Sequence, residues 1–372
     1  MRISAQRFKN SGRKYLLWVL AAAVVCFSFT GEHNIEDRVL VHAMGIDRAA
    51  GGYEVSFQVF RSSGAGADIP IDISHSNVQL IKIKADTVSQ AIDRCSAKLG
   101  REVFLGHLQT ICFGREISFE DPQELFAFVL RDKSVYLGVQ LCMARDKAAD
   151  IIMTEMQRGT LSSENLQKAL DENVRNGRTV ECTVLDFLSD IKSPQFEAMP
   201  VAALSQEGSG ENKEPVIDIT GTALLCGGKR SGFLSQEQSF ALSLLRDEAE
   251  TLPTVVSLDG RSYDVRFENT DVSRSLDIEN GRLVFSVDIT LSAAVSLDIK
   301  SGDMPSERFL ENYLETQLRE AWDHSAGEGC DAAGVWRFLR QRYPKIYLEY
   351  EDDIERLIRN TRLDLDINCR IE

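Results

Sequence analysis

The stretch LVFSVDITLSAAVSLDI, residues 283–299, is the most regular part of the chain and decides its fold. From Leu283 onward every second residue is apolar, and the residues between are mostly Ser, Asp and Thr. Successive side chains of a β-strand point to opposite faces of a sheet. The pattern therefore predicts one long strand, or two strands joined at a bend, with one buried face. Such alternation is typical of antiparallel sheets.

Helices and a final strand are predicted after this segment. Apolar spacing indicates helices at residues 306–323, 331–342 and about 352–361. Alternation returns over residues 363–371 and predicts a closing strand. We therefore interpret residues 216–372 as a C-terminal α+β domain.

The region before residue 208 mixes strands and helices without regular βαβ spacing. Residues 36–47 and 53–59 predict a hairpin, and residues 78–84 a further strand. Asp86 or Thr87 is expected to cap a helix that ends at Gly100. Residues 31–207 are interpreted as an N-terminal mixed α/β region of one or two subdomains.

Residues 208–215, GSGENKEP, are small, charged and end in proline, which predicts a linker between the two regions. The expected fold class is α+β. More fully, we expect a mixed α/β, multi-module exported protein with antiparallel-rich sheets and packed helices.

The first thirty residues are typical of an export leader. Five basic residues precede an unbroken apolar run over residues 16–29, and the leader contains no acidic residue. As a helix this run would span only about 21 Å, short of the ~30 Å core of a bilayer, so a stable transmembrane helix is less favoured. Residues 1–30 are predicted to be a signal or membrane-anchor segment, with the rest of the chain outside the cytoplasm.

Cys26 lies inside the apolar run and is the candidate lipidation site. In one interpretation it carries acyl groups, such as palmitate, that anchor the chain. In the other it is an ordinary leader residue, cleaved away or kept in an uncleaved signal anchor. The residues before it, Ala23, Val24 and Val25, leave both interpretations open.

Charge and cysteine content narrow the class of protein. Without the leader, the chain contains 37 basic and 57 acidic residues, which gives a net charge of −20. Nucleic acid and anionic lipid would be repelled by such a body, so no nucleic-acid partner is expected.

Seven cysteines remain outside the leader, and none forms a C-x-x-C pair. They are interpreted as core residues, with one or two disulfides.

The motifs of common exported enzymes do not occur in the sequence. It has no G-x-S-x-G, no H-E-x-x-H and no S-x-x-K with S-D-N. Five histidines are scattered, and none has a second His or Cys at metal-ligand spacing. We therefore expect no catalytic residues, no cofactor and no metal site, and predict that the protein is not an enzyme.

Six stretches of the chain, in the same order, resemble the C-subunit family of bacterial spore germinant receptors, the Ger(x)C family. The stretches are IEDRVLVHAMGID (35–47), HLQTICFGREI (107–117), YLGVQLCMARDKAADII (136–152), TVLDFLSDI (183–191), DITGTALLCGGKRSGFLSQEQ (218–238) and DAAGVWRFLRQRYPKIY (331–347). Each stretch alone is weak, but six in order are specific.

This resemblance implies a lipoprotein with three mixed α/β modules, on the outer face of the inner spore membrane. It also implies assembly with A- and B-type integral membrane subunits into a receptor for nutrient germinants. At the anchor the sequence differs from the family, because Thr30-Gly31 is followed by Glu32 and the nearest cysteine is Cys26.

The hypothesis that follows is a non-catalytic, membrane-anchored subunit that acts through protein contacts in spore germination. The interface is expected on the solvent-facing edge of the 283–299 strand or on the 306–323 helix. An exported solute-binding lipoprotein that captures a nutrient itself is the alternative. An exported hydrolase with clustered carboxylates is a third.

Overall fold

The computed structural model describes Trp18 and residues 38–60, 78–154, 162–189, 198–208, 213–226, 229–280, 282–296, 304–350 and 353–372. Within these residues the strands form two sheets, one of nine strands and one of four. Helices pack against both sheets. The mixed α and β content predicted from the sequence is confirmed.

The first sheet is ordered β3-β2-β1-β5-β6-β7-β8-β9, and the short β4 also pairs with β1. Its strands are β1 (Arg38–Ala49), β2 (Gly52–Phe60), β3 (Val78–Ala85), β4 (Glu102–Phe104), β5 (Thr110–Phe113), β6 (Gln140–Ala144), β7 (Ala198–Glu207), β8 (Glu214–Cys226) and β9 (Lys229–Leu234). The predicted β1–β2 hairpin is confirmed by antiparallel pairing from Leu40↔Phe60 to Ala49↔Gly52.

Parallel pairing in the centre of this sheet was not anticipated from the sequence. Strands β1, β5, β6 and β7 run in one direction, while the outer strands β2, β3, β8 and β9 add antiparallel pairs. β5 and β6 are buried along most of their length and show little alternation, as expected for strands covered on both faces. The sheets are therefore mixed, with antiparallel pairs at their sides.

Helices of this first part follow the capping rules that the sequence suggested. The Thr87 side chain accepts a hydrogen bond from Gln90 N, and Gly100 ends the helix in the left-handed conformation that glycine adopts without strain. The helices are α1 (Val88–Leu99), α2 (Pro122–Leu125), α3 (Ala127–Arg131), α4 (Ala148–Ile152), α5 (Ser162–Arg175) and α6 (Val184–Ser189).

The segment predicted as a linker, residues 208–215, joins two neighbouring strands of one sheet. β7 and β8 pair antiparallel from Ala198↔Leu224 to Glu207↔Glu214. The small, charged composition of the segment is thus that of a connection between paired strands. β8 and β9, which the sequence had placed in the C-terminal domain, belong to the first sheet.

The second sheet has the order β10-β11-β12-β13. Its strands and the helices near it are β10 (Leu252–Leu258), β11 (Arg261–Glu279), β12 (Arg282–Val295), β13 (Arg362–Ile371), α7 (Gln236–Leu245), α8 (Glu307–Gly327), α9 (Val335–Arg342), α10 (Pro344–Tyr350) and α11 (Ile354–Asn360). The Ser235–Gln238 capping box begins α7.

β12 is the strand that the 283–299 alternation predicted. Its buried face carries Leu283, Phe285, Val287, Ile289, Leu291 and Ala293. The expectation of a free, solvent-facing edge on this strand is wrong, because β11 pairs with one side and β13 with the other. β13 is parallel to β12, and the four helices between them, α8 to α11, provide the crossover that parallel strands need.

The buried face of β12 packs against α8 in one hydrophobic core. Leu310, Leu314 and Leu318 of the helix are fully buried there, and the Trp322 ring stacks on Phe285 with centroids 6.0 Å apart. A disulfide between Cys226 at the end of β8 and Cys330 after α8 joins the first sheet to this layer. The five other cysteines of the described residues are buried free thiols, as a core role predicts.

Replacing Phe285 tests whether β12 and α8 form the centre of this core. Phe285 is fully buried, so Phe285→Ala should lower the free energy of unfolding by about 3–5 kcal/mol through lost burial and a residual cavity. Val255→Ala, at a 59% exposed position on β10, is the control and should cost less than about 1 kcal/mol. Urea denaturation of the oxidised protein measures both. Similar losses for the two variants would contradict this packing.

Candidate interaction surface

The candidate lipidation residue, Cys26, lies outside the described residues. In the part of the chain that the structure describes, no helix is both long and apolar enough to cross a membrane. Neither fact bears on how Cys26 is modified, so its acylation stays a prediction.

Asp47, at the end of β1, holds the first sheet to α4. Its carboxylate is buried and accepts hydrogen bonds from Ala148 N and Ala149 N, each at 2.8 Å. These two N–H groups belong to the first turn of a helix and have no partner within it. Burial raises the pKa of Asp47, while the two backbone hydrogen bonds oppose that rise. The role that these contacts define is structural.

Asp331 repeats this arrangement in the second part of the protein. The carboxylate accepts hydrogen bonds from Val335 N at 2.7 Å and Trp336 N at 2.6 Å, at the beginning of α9. Gly334 precedes that helix with φ +74°, a conformation that glycine adopts without strain. Burial raises the pKa of Asp331 to about 7, although the two hydrogen bonds and the nearby guanidinium groups favour the ionised form.

The raised pKa of Asp331 predicts a pH-dependent contribution to stability. An acid with a folded pKa of about 7 and an unfolded value of 3.8 binds a proton in the folded state between these pH values. Its contribution is therefore present at low pH and is lost as the pH rises through about 7. In Asp331→Asn this contribution is absent, so the stability difference in favour of wild type should widen from pH 8 to pH 5.

Urea denaturation of the two proteins at pH 5, 6, 7 and 8, with the disulfide intact, measures that difference. Ser306→Ala, at an exposed helix cap that contains no ionisable group, is the control and should show a constant difference from wild type. A difference between wild type and Asp331→Asn that stays constant over this range would contradict the assignment.

The other titratable groups that sequence analysis considered do not assemble into a site. Among the described residues no three His, Cys, Asp or Glu side chains are placed to hold a metal ion. The His42 and His107 rings lie 6.2 Å apart near the start of the first sheet, and burial and then the His107 charge lower the pKa of His42. His324 is on α8, and His33 and His75 lie outside the described residues.

An open groove lies along β10, β11 and β12 of the second sheet. It has a volume of about 600 Å³, and its lining includes Arg178, Val255, Asp264 and Arg266. Arg178 also lines a second groove of about 510 Å³ that runs along β8. Small-molecule sites are usually enclosed clefts with converging polar groups. These grooves are shallow, and their charged side chains are those of an ordinary solvated surface.

The outer face of α8, one of the two expected interface positions, is polar. Its exposed residues include Arg308, Asn312, Thr316, Arg319 and Glu320, and Arg319 pairs with Glu315 at 2.8 Å. Solvated charges and i,i+4 ion pairs of this kind are normal for a surface helix. Exposed apolar side chains occur elsewhere.

One end of the first sheet gathers exposed apolar residues. Gln109 N donates to His42 O at 2.9 Å, and Gln140 N donates to Gln109 O at 3.0 Å, so the loops before β5 and β6 lie beside the beginning of β1. Leu185 N donates to Leu137 O at 2.8 Å, which adds the start of α6. We call this end the amino edge; it comprises Arg38, Phe60, residues 99–102, 105–109 and 130–139, and Leu185.

The fold and the sequence both match known proteins. Two family models match the chain: "Spore germination protein N-terminal domain" over residues 31–204, and "Spore germination B3/ GerAC like, C-terminal" over residues 220–372. The crystal structure of the GerBC protein aligns with a TM-score of 0.52 and 16% identity, covering 88% of this chain and 96% of that chain. That likeness shows a shared fold.

Two curated relatives have low sequence identity to this chain, and both are described as spore germination proteins. The putative spore germination protein YfkR of Bacillus subtilis (strain 168) is 19% identical over 283 residues, 72% of this chain and 71% of the relative. The spore germination protein GerQC of Bacillus cereus is 21% identical over 214 residues, 57% of this chain and 55% of the relative.

The fold of two sheets is shared with the GerBC protein, and the two matching family models define the class of this chain as spore germination proteins. The two family models together extend over nearly all of the chain after residue 30. The chain belongs to the GerAC/GerBC-like family, Ger(x)C, as the resemblance of the six stretches indicated.

Several structural residues were missed by sequence reasoning. Asp47 contacts residues about a hundred positions away, so no local pattern could reveal its role. Asp331 lies four residues before Val335, and that spacing was a usable signal for a helix-capping carboxylate. Tyr136, Leu137 and Leu185 were assigned to apolar segments, with nothing in their spacing to show that they end on the surface.

Proposed function

We propose that this protein is a non-catalytic, membrane-anchored subunit of a germinant receptor, required for spore germination signalling. Its place is the outer face of the inner spore membrane, where the leader or a lipid on Cys26 holds it. Its partners are the A- and B-type integral membrane subunits, and it binds no nucleic acid. The observation that carries the proposal is the family match over both halves of a chain that begins with an export leader.

The buried charged groups of the described residues are bound to structural partners inside the protein, which fits a role in assembly. The buried carboxylates of Asp47 and Asp331 are occupied by backbone N–H groups. Arg246 is paired with Glu248 at 2.8 Å. A tether beside membrane subunits raises the effective concentration of the body, so modest interfaces suffice to hold a complex.

Membrane fractionation and affinity capture test this proposal. The full chain, tagged after Glu372 and solubilised in mild detergent from the membranes of its own spores, should co-purify with polytopic membrane subunits. A variant lacking residues 16–29 is the control and should be lost from the membrane fraction, since it lacks the apolar run. Recovery of the full chain in the cytosol, or capture without any integral membrane partner, would contradict the proposal.

Cys26→Ser separates the two anchoring modes. If Cys26 is acylated, the variant should leave the membrane fraction, because each buried methylene of an acyl chain contributes about 0.8 kcal/mol. If the leader is an uncleaved signal anchor, the variant should stay. Mass spectrometry of the mature amino terminus identifies the species in each case.

The alternative is a solute-binding lipoprotein, and direct titration distinguishes it. Isothermal titration of the purified full chain with amino acids and sugars should give no saturable heat if the protein is an assembly subunit. Saturable heat that is lost in Arg178→Ala, a variant of the groove along β10, β11 and β12, would favour a solute binder. The open form of that groove gives this alternative no positive support.

A further inference from the structure

We propose that the amino edge is the surface of the folded body that lies against the lipid bilayer, with Tyr136, Leu137 and Leu185 at the level of the headgroups. This inference rests on the membrane anchoring proposed above and adds an orientation to it.

Exposed apolar side chains are concentrated at this edge. Tyr136 is 71% exposed, Leu185 54% and Leu137 41%. With Phe60 and Leu130, they make up half of the large apolar side chains that are exposed in the described body after the leader. Tyrosine has an apolar ring and a polar tip, a combination that suits the membrane–water interface.

The strand register shows that these residues form one strip. Phe60 is level with Leu40 on β1, and Leu137 precedes β6 at about the same level, because Gln140, Thr110 and Ala43 are aligned. Three strand spacings separate β2 from β6, so the strip extends for about 14 Å across the sheet. Leu185 is hydrogen-bonded beside Leu137 and continues it. Exposed apolar side chains in one strip can contact a lipid surface together.

The tether joins the folded body at the amino edge. β1 begins at Arg38 on the amino edge, nine residues after Phe29 and twelve after Cys26. Fully extended chain of those lengths reaches only about 30 to 40 Å. Leu204, at the opposite end of the sheet, is level with Ala49, eleven residues along β1 from Arg38 and about 36 Å away. Contact of that end with the membrane would therefore need the tether to be almost fully extended.

The amino edge has a small excess of positive charge in an otherwise acidic protein: it contains four basic residues, Arg38, Arg101, Arg131 and Lys133, and two acidic ones, Glu102 and Asp132. Arg101 and Lys133 are exposed there, and Arg38 lies over the Phe104 ring while it pairs with Glu102. Basic side chains near a membrane surface are attracted to anionic headgroups. Basic and aromatic residues interspersed with leucine are typical of surfaces that lie in the interface.

Quenching of tryptophan fluorescence by brominated lipids tests this orientation. The full chain, with Trp18→Phe to remove the leader fluorophore, is reconstituted in vesicles of equal parts phosphatidylcholine and phosphatidylglycerol. Tyr136→Trp and Leu185→Trp each place a probe on the amino edge. Leu204→Trp is the matched control, at a 38% exposed position on the opposite edge. After subtraction of the parent signal, bromination should quench the 136 and 185 probes at least twofold more than the 204 probe.

Flotation of the same vesicles separates a failure of orientation from a failure of anchoring. Anchored protein with equal quenching at all three positions, or with none, would overturn the orientation and leave the anchoring intact. Protein that does not float would overturn the anchoring, and with it this inference. A third outcome is that lipid does not quench the probes at 136 and 185, but their emission shifts when membrane subunits are added. That result would assign the edge to a protein partner and overturn the lipid contact. Circular dichroism verifies that each variant is folded.

Discussion

Parallel pairing of β1 with β5, and of β5 with β6, is the constraint on which the surfaces of this protein depend. Three strands that run in one direction must begin at the same end of the sheet, so the loops that enter them collect there. The first residue of β1, the histidine pair and the exposed leucines share one edge for this reason. The opposite end receives the returning loops and the α4 helix, which Asp47 fixes in place.

In both parts of the molecule a buried carboxylate stabilises the start of a helix. Asp47 and Asp331 each use two carboxylate oxygens to satisfy two backbone N–H groups of a first helical turn. An unpaired buried carboxylate would be costly, whereas these two hold short helices that have little stability of their own. The perturbed pKa values of these residues therefore have a structural cause, which shows why such shifts alone do not identify an active site.

Much of the fold followed from the sequence, and the failures have physical reasons. The β12 alternation and the Thr87 cap are local patterns, and each was confirmed. Partners of a strand depend on distant residues, so neither the parallel centre nor β13 beside β12 was visible. Residues 208–215 have the composition of both a linker and a strand connection. Exposure at the amino edge arises from tertiary packing, so the sequence did not reveal it, and the 306–323 helix stays a predicted interface.

The Cys226–Cys330 disulfide sets an order for the maturation of the chain. Its two cysteines are 104 positions apart, so the bond can close only after the chain has been synthesised beyond Cys330. Cytosolic thiol buffers keep such cysteines reduced, whereas the space beyond the membrane permits oxidation. For a chain that is exported as proposed above, covalent closure would thus follow translocation. Once formed, the bond ties β8 of the first sheet to the segment after α8, and a force applied to one layer is carried directly to the other.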